Sequence, residues 1–188
     1  SIDGRDPKLD AMANIRSRQE SLSEQLLHQW SFAEVEEREL TIGKSLIGCI
    51  DADGFLTITV EEMTQQVLED TSESPSIPLL EAVIANLQKW LDPPGIAARS
   101  LQESLLIQVA SFVADNPTSW HDVGVLIENH LDDLIANKLP KISSKSGIGI
   151  ERVKAAIEQM HELTLSPGRL LATDRVLPVI PDAFIEFD

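Results

Sequence analysis

Along most of this chain, apolar residues recur at intervals of three and four, which is the spacing of one face of an α-helix. The first such stripe runs from Leu22 to Trp30, and the next runs from Ile42 to Ile50 within a helix predicted at about residues 34–50. Further stripes predict helices at about residues 59–68, 78–92, 100–114, 119–134, 138–145 and 151–163. The pattern therefore predicts a body built from short amphipathic helices.

The helical pattern is interrupted at its centre by Pro93, Pro94 and Gly95. Proline cannot continue a helix, and glycine supplies the backbone freedom to turn. Ser100 and Glu103 have the spacing of a capping box, which begins the next helix at once. Because so short a connection fixes the angle between two helices, we predict a joint at this point.

These elements predict an all-α fold with two small helical subdomains. The first, residues 20–95, is expected to be a helical bundle, and the second, residues 96–168, a helix-turn-helix-like three-helix unit. Residues 1–19 are polar with weak periodicity and are expected to form a partly disordered linker. Residues 169–188 combine apolar positions with two prolines and are expected to form an extended C-terminal tail.

The two predicted subdomains share a local pattern. A shift of 73 positions places the apolar residues of the segment 80–95 on those of the segment 153–168, and each segment closes with Pro-Gly. Two explanations stay open at this point. Amphipathic helices often resemble one another, or the two subdomains are related repeats.

Composition supports the helical interpretation and narrows the function. The chain has 188 residues, 43% of them apolar but only 4% aromatic, and no Tyr, which disfavours a sheet-built core. Its formal net charge is −16, and because phosphate binding depends on Lys and Arg, this charge argues against the chain alone gripping nucleic acid. The charge favours either a basic protein partner or simple solubility.

Neither a metal nor a cofactor is predicted. The sequence Gly43-Lys44-Ser45 lacks the earlier glycine of a phosphate-binding loop, and the segment Asp51–Gly54 would place Val60 at the last ligand position of a calcium loop. Cys49 is the only cysteine, which excludes an internal disulfide, and it reads as a small buried hydrophobe.

Neither a membrane span nor a signal peptide is indicated, so we expect a soluble cytoplasmic protein. The sequence does not begin with Met and is expected to be a piece of a longer protein.

Four scattered histidines form no metal-binding pair, and no nucleophile elbow occurs. We therefore predict that the chain is not an enzyme, with an unrecognised acid–base site as a remaining hypothesis.

One basic segment stands out in this acidic chain. Residues 138–154 contain five basic residues against the single acid Glu151, a local net charge of +4. The segment also predicts a short helix, a turn at Gly147, and a second helix whose Ile150 and Val153 pack against Ile142. This is helix-turn-helix spacing, although many three-helix cores share it without touching DNA. The basic residues are Lys138, Lys141, Lys145, Arg152 and Lys154.

Several motifs, in order, resemble the core-binding region of bacterial sigma-54 transcription factors over roughly residues 20–188. The strongest is Asp92-Pro-Pro-Gly-Ile-Ala-Ala-Arg-Ser-Leu-Gln-Glu-Ser-Leu-Leu-Ile-Gln108, which is similar to the family's Asp-Pro-x-Gly-x-x-Ala-Arg-x-Leu-x-Glu-x-Leu-x-x-Gln pattern. The segments 22–29, 46–56 and 180–185 resemble its opening helix, its Ile-Asp-x-Asp-Gly-Tyr-Leu segment and its Pro-Asp segment.

The sequence also departs from the family pattern. The family's Leu-Asn-Pro-x-Pro-Gly segment is here Leu163-Thr-Leu-Ser-Pro-Gly168, and Ala97 and Ser100 replace the usual Gly and Asp. These differences concern individual contacts within an otherwise matching order of motifs.

The resemblance implies a factor that docks on core RNA polymerase and directs it to promoters, which a separate ATP-driven activator must then open. It implies that the activator acts through regions outside this sequence, and that promoter DNA is met only within the holoenzyme. Candidates for polymerase binding are the acids Glu34, Glu37, Glu61, Glu62, Glu69 and Glu81. The five basic residues of segment 138–154 are expected to lie near DNA.

The same resemblance draws attention to the joint formed by Asp92, Pro93, Pro94 and Gly95, which we expect Arg99 to anchor. An autonomous helix-turn-helix DNA-binding regulator that uses residues 138–163 is the alternative function. It predicts salt-dependent DNA binding by the chain alone.

Overall fold

A computed structural model describes residues 20–115 and 120–173, and within these residues it is all-α as predicted. The first half contains α1 (Leu22–Trp30), α2 (Glu37–Ile47), α3 (Val60–Thr71) and α4 (Ile77–Trp90). The second half contains α5 (Leu101–Asp115), α6 (His121–Ile135), α7 (Leu139–Ser146), α8 (Ile150–Gln159) and α9 (Pro167–Thr173). A 3-10 turn, Met160–Glu162, follows α8.

Local capping explains where several helices begin. Ser21 and Glu24 form a reciprocal capping box at the start of α1, and Thr59 and Glu62 form another at the start of α3. Pro78 lies in the first turn of α4, where its missing N–H costs nothing. The backbone N–H groups of the first four residues of each helix have no partner inside the helix. Side chains that bind these groups therefore help to fix where the helix begins.

One expectation about the C-terminal region is wrong for the residues that the structure describes. Residues 169–173 were expected to be extended, but they belong to helix α9. The helix forms because Pro167 suits the first position of a helix, and Leu171 packs against the first hydrophobic cluster. The rest of the expected tail, 174–188, and the expected linker, 1–19, lie outside the described residues.

The first hydrophobic cluster joins α1 to α4 and includes Ile96 and Ala97. Trp30 lies at its centre, and its indole N–H donates to the carbonyl of Leu40 at 3.0 Å. A Cβ at Gly43 would lie 2.4 Å from the Trp30 ring. Gly43 is therefore required for helix packing, which explains the glycine in the Gly-Lys-Ser sequence.

A second cluster of buried side chains joins α5 to α8. Phe112 and Trp120 stack at its edge, with ring centroids 4.5 Å apart. Ile142 and Val153 are buried as expected, but Ile150 is 39% exposed and Ile148, in the turn, is buried in its place. That the chain divides into two subdomains, residues 20–95 and 96–168, stays a prediction.

Helix α6 is kinked at His130, whose φ of −135° is not helical. The Gln102 side-chain amide of α5 donates to the carbonyls of Ile127 and Glu128, at 2.9 and 2.8 Å. These bonds satisfy carbonyls beside the kink, so the kink is held by contact with α5.

The loop 51–56 connects the two Pro-Gly segments of the chain. Its Gly54 carbonyl accepts from the N–H of Ala97 at 2.9 Å, and its Asp53 carbonyl accepts from the N–H of Gly168 at 2.9 Å. A parallel bridge joins Phe55 to Ala98. The end of the second half of the chain is thereby tied to the first.

Replacing Gly168 with Ala should destabilise the protein, because the added Cβ would lie 2.6 Å from the backbone N of Gly54. Overpacking of this kind costs about 1–3 kcal/mol. The measurement is the free energy of unfolding from urea denaturation. Gly124→Ala is the matched control, since its Cβ would meet only Val109, at 3.7 Å, and helix propensity favours Ala. Equal stability of the two variants would contradict the packing argument.

Candidate partner-binding surfaces

Most of the negative charge belongs to the first helical unit. Residues 20–95 contain fifteen carboxylates against three basic residues, a net charge of −12 out of −16 for the whole chain. Short helices with many acids on their outer faces concentrate this charge on one part of the surface. The unit therefore attracts positively charged partners.

The six predicted polymerase-binding acids differ in how free their carboxylates are. Three of them already bond within the protein. Glu62 accepts from the backbone N–H of Thr59, and this bond and the Thr59 side chain hold the pKa of Glu62 below its usual value. Glu81 accepts from the Arg99 guanidinium at 2.8 and 2.9 Å. Glu69 accepts from the side-chain amide of Gln65 at 2.8 Å. The other three, Glu34, Glu37 and Glu61, are exposed.

A shallow groove lies between the start of α2 and the end of α4. It is lined by Glu34, Val35, Glu36, Glu39, Asn86, Lys89 and Trp90, and we call it the α2–α4 groove. Phe32, in the turn that leads into it, is 69% exposed. Sequence reasoning missed this surface because its two walls are about fifty residues apart. An aromatic residue beside an acid-rich stretch was the available signal.

The predicted joint is held by side chains on both sides of it. The Gln29 side chain pairs with the backbone of Asp92, accepting from its N–H at 2.8 Å and donating to its carbonyl at 2.9 Å. The Asp92–Pro93 peptide bond is cis, and Gly95 has a φ of +95°. A Cβ at Gly95 would lie 2.4 Å from the Ser104 hydroxyl. Glycine is thus required here by both conformation and space.

Arg99 connects helices rather than contacting the joint residues directly. Its guanidinium pairs with Glu81 of α4, and its backbone N–H donates to Glu103 of α5 at 2.6 Å. The Ser100 hydroxyl accepts from the Glu103 N–H at 3.1 Å, so half of the predicted capping box is present. The Glu103 carboxylate binds Arg99 and the amide of Gln88 instead of the Ser100 N–H.

Gln108, which is only 5% exposed, links α5 to the segment before α9. Its side chain accepts from the N–H of Thr164 at 2.8 Å and donates to the Thr164 carbonyl at 2.9 Å. A further contact joins it to Ser104 at 3.3 Å. One amide thereby satisfies both polar groups of a backbone residue 56 positions away.

The basic residues predicted to lie near DNA mostly pair with carboxylates. Arg152 binds Asp122 through two hydrogen bonds, at 2.9 and 2.7 Å, and Lys154 lies 3.0 Å from Glu151. Lys141 and Lys145 lie 2.7 and 3.8 Å from Asp133. Lys138 is exposed at the start of α7. Glu151 is already counted in the local net charge of +4, and including Asp122 and Asp133 lowers that charge to +2.

Two ion pairs shift the titration of their carboxylates. The hydrogen bond from Lys141 is the main cause that holds the pKa of Asp133 below its usual value, and neighbouring lysines add to it. The hydrogen bond from Arg169 similarly lowers the pKa of Asp53, in a contact of 2.5 Å that fastens α9 to the loop 51–56. The basic partner in each pair is exposed to solvent, so these pairs affect local charge more than stability.

Asp51, the first acid of the suspected calcium loop, accepts from the N–H groups of Asp53 and Phe55, both at 2.9 Å. This geometry makes it a turn-stabilising residue. In residues 20–115 and 120–173, no cluster of three or more His, Cys, Asp or Glu is arranged to hold a metal. Burial raises the pKa of the Cys49 thiol, and Asp70 raises it further.

Among the described helices, none combines the length and the apolar character that crossing a bilayer requires. The structure is that of an all-helical domain with its charged residues on the outer surface. Comparison with known families identifies the family to which this domain belongs. Residues 11–188 match the family described as "Sigma-54 factor, core binding domain", and the chain belongs to this family.

Individual relatives agree with that assignment. RNA polymerase sigma-54 factor of Shewanella violacea is 31% identical over 166 residues, which cover 88% of this chain and 33% of the relative. The Escherichia coli factor is 27% identical, covering 88% of this chain and 34% of its own length. The Bacillus subtilis factor is 28% identical, covering 94% and 38%. The chain spans about a third of the length of the relatives it matches.

Replacing Gln108 with Leu should destabilise the protein, because the backbone N–H and carbonyl of Thr164 both lose their partner. Leaving buried polar groups unpaired costs about 2–4 kcal/mol in total. Thermal and urea unfolding measure the change. Gln65→Leu is the control, since Gln65 is exposed and, among the described residues, its side chain bonds only to Glu69 on the same helix. A loss no larger than that of the control would refute the linking role of Gln108.

Replacing Lys141 with Met should raise the pKa of Asp133 towards its usual value, since the main cause of the depression is removed. With a depressed folded pKa, the stabilisation by Asp133 is complete above the unfolded pKa of about 3.9 and is lost as pH falls through the folded pKa. Carbon NMR of the side-chain carboxyl follows the titration. Lys154→Met, which removes the partner of Glu151, should leave Asp133 unchanged.

Proposed function

We propose that this chain is the polymerase-docking part of a sigma-54-type factor, which binds core RNA polymerase and takes part in transcription initiation. The observation that carries the proposal is the family match over residues 11–188. The proteins that match are named RNA polymerase sigma-54 factors, and the chain aligns with about a third of each. The proposal assigns the chain no catalysis of its own.

The charge distribution supports a protein partner. A surface with a net charge of −12 on residues 20–95 repels nucleic acid and attracts basic protein surfaces. The proposed contacts are the six acids named above. Glu62, Glu69 and Glu81 contribute through the electrostatic field of the whole face, since their carboxylates are already bonded within the protein.

The segment 138–154 is proposed to lie near promoter DNA within the holoenzyme, and the ATP-driven activator to act through regions outside this chain. A segment that the rest of an assembly holds near DNA needs less positive charge than a protein that binds DNA on its own. The pairing of Arg152 with Asp122 and of Lys141 with Asp133 disfavours an autonomous DNA-binding regulator, because these cations are partly neutralised. The autonomous function is kept as the alternative that experiment must exclude.

The 188-residue chain should be retained by immobilised core RNA polymerase at physiological salt, about 0.15 M, and should be released as salt rises, because the attraction is partly electrostatic. In fluorescence anisotropy, the chain alone should not bind a promoter duplex at that salt. Failure to bind the polymerase would refute the proposal. Tight DNA binding by the chain alone, weakened by Lys138→Gln and Arg152→Gln, would establish the alternative instead.

A further inference from the structure

The most exposed Phe or Trp side chain of the described residues lies in the turn two residues before Glu34, the first residue that lines the α2–α4 groove. Phe32 is 69% exposed, whereas the other aromatic side chains in residues 20–115 and 120–173 are buried or half-buried. The ring of His28 packs edge-on against it, with centroids 5.2 Å apart. An aromatic ring in water loses the free energy that burial would supply, which makes it a candidate anchor for a partner.

The groove has an apolar wall and a polar group available to bind. Trp90 is half-buried on α4, and Val35 is half-buried opposite it. The indole N–H of Trp90 donates to no acceptor within residues 20–115 and 120–173, so it is available to a partner's carbonyl. Trp, with Tyr and Arg, is enriched among residues that dominate binding energy.

The rim of the groove is acidic. The carboxylate of Glu34 makes neither a hydrogen bond nor an ion pair with the described residues, while Glu39 is engaged with the N–H of Glu36 at 3.3 Å. Lys89 is the single basic residue of the lining, against three acids. The groove therefore combines aromatic surface with net negative charge, which suits a cation held over an aromatic face and close to a carboxylate.

We infer that the α2–α4 groove, with Phe32 at its edge, binds a basic segment of core RNA polymerase that carries an apolar side chain. An Arg or Lys of that segment lies over Trp90 and pairs with Glu34, and its apolar neighbour covers Phe32. This inference rests on the proposed function and narrows it, since it selects one groove from a broadly acidic face.

The test compares variants of the 188-residue chain in their affinity for core RNA polymerase. Phe32→Ser and Glu34→Lys should each weaken binding about tenfold, as expected for residues at the centre of an interface. The matched controls lie on α6. They are Ile135→Ser, at an equally exposed apolar side chain, and Glu128→Lys, with the same change of charge. The controls should bind within about twofold of the unsubstituted chain.

The outcomes separate this inference from the function on which it rests. If the unsubstituted chain binds and the groove variants bind as tightly as the controls, the inference is overturned and the proposed function stands. If the unsubstituted chain does not bind, both are overturned. Circular dichroism establishes that each variant is folded, and Phe32→Leu should recover part of the affinity because it restores apolar contact.

A photo-reactive phenylalanine analogue replacing Phe32 identifies the partner segment. Cross-linking to the core polymerase, followed by mass spectrometry, should recover a peptide that contains Lys or Arg beside an apolar residue. A cross-linked peptide without basic residues overturns the inference, as does the absence of any cross-link when the chain is bound.

Discussion

The architecture depends on a close approach of backbones at the loop 51–56. Gly54 accepts a hydrogen bond from Ala97, and the neighbouring Asp53 carbonyl accepts one from Gly168. A side chain at either glycine would lie less than 3 Å from the other's backbone, so the contact requires two glycines that face each other. Because this loop touches both the joint after α4 and the start of α9, the two hydrophobic clusters cannot be oriented independently of it.

Charge is distributed in a way that complements this rigid arrangement. The first helical unit carries its acids outward, and the second has its basic residues held by Asp122 and Asp133. The acids that stabilise the fold, such as Glu62 and Glu81, are bonded to groups nearby, while Glu34 has no such bond with residues 20–115 and 120–173. A carboxylate without a hydrogen-bond partner in its own protein gives up no internal bond when it pairs with a cation of another protein. Unpaired acids beside apolar surface are therefore better candidates for docking.

Periodicity was sufficient for the all-α fold, because local amphipathic spacing and capping residues decide where helices form. Periodicity does not predict which residues make contact when they are far apart in the sequence. Spacing favoured Ile150 as a buried position, but the turn at Gly147 places Ile148 there. The bonds of Gln108 to Thr164 and the partnership of Arg152 with Asp122 join residues 56 and 30 positions apart, and nothing in either local sequence specifies the other. The α2–α4 groove was missed for the same reason.

The similarity between segments 80–95 and 153–168, which are related by a shift of 73 residues, has a physical explanation in the packing of their glycines. Each Pro-Gly segment follows a helical stretch, and its glycine lies where a side chain would collide with neighbouring atoms. Those atoms belong to Ser104 and Gln108 for Gly95, and to the loop 51–56 for Gly168. Proline ends the helical stretch after α4 and begins a new helix at Pro167, while Gly95 and Gly168 supply the space. Close packing at each of the two sites is therefore enough to select Pro-Gly twice, whether or not the two halves descend from a common repeat.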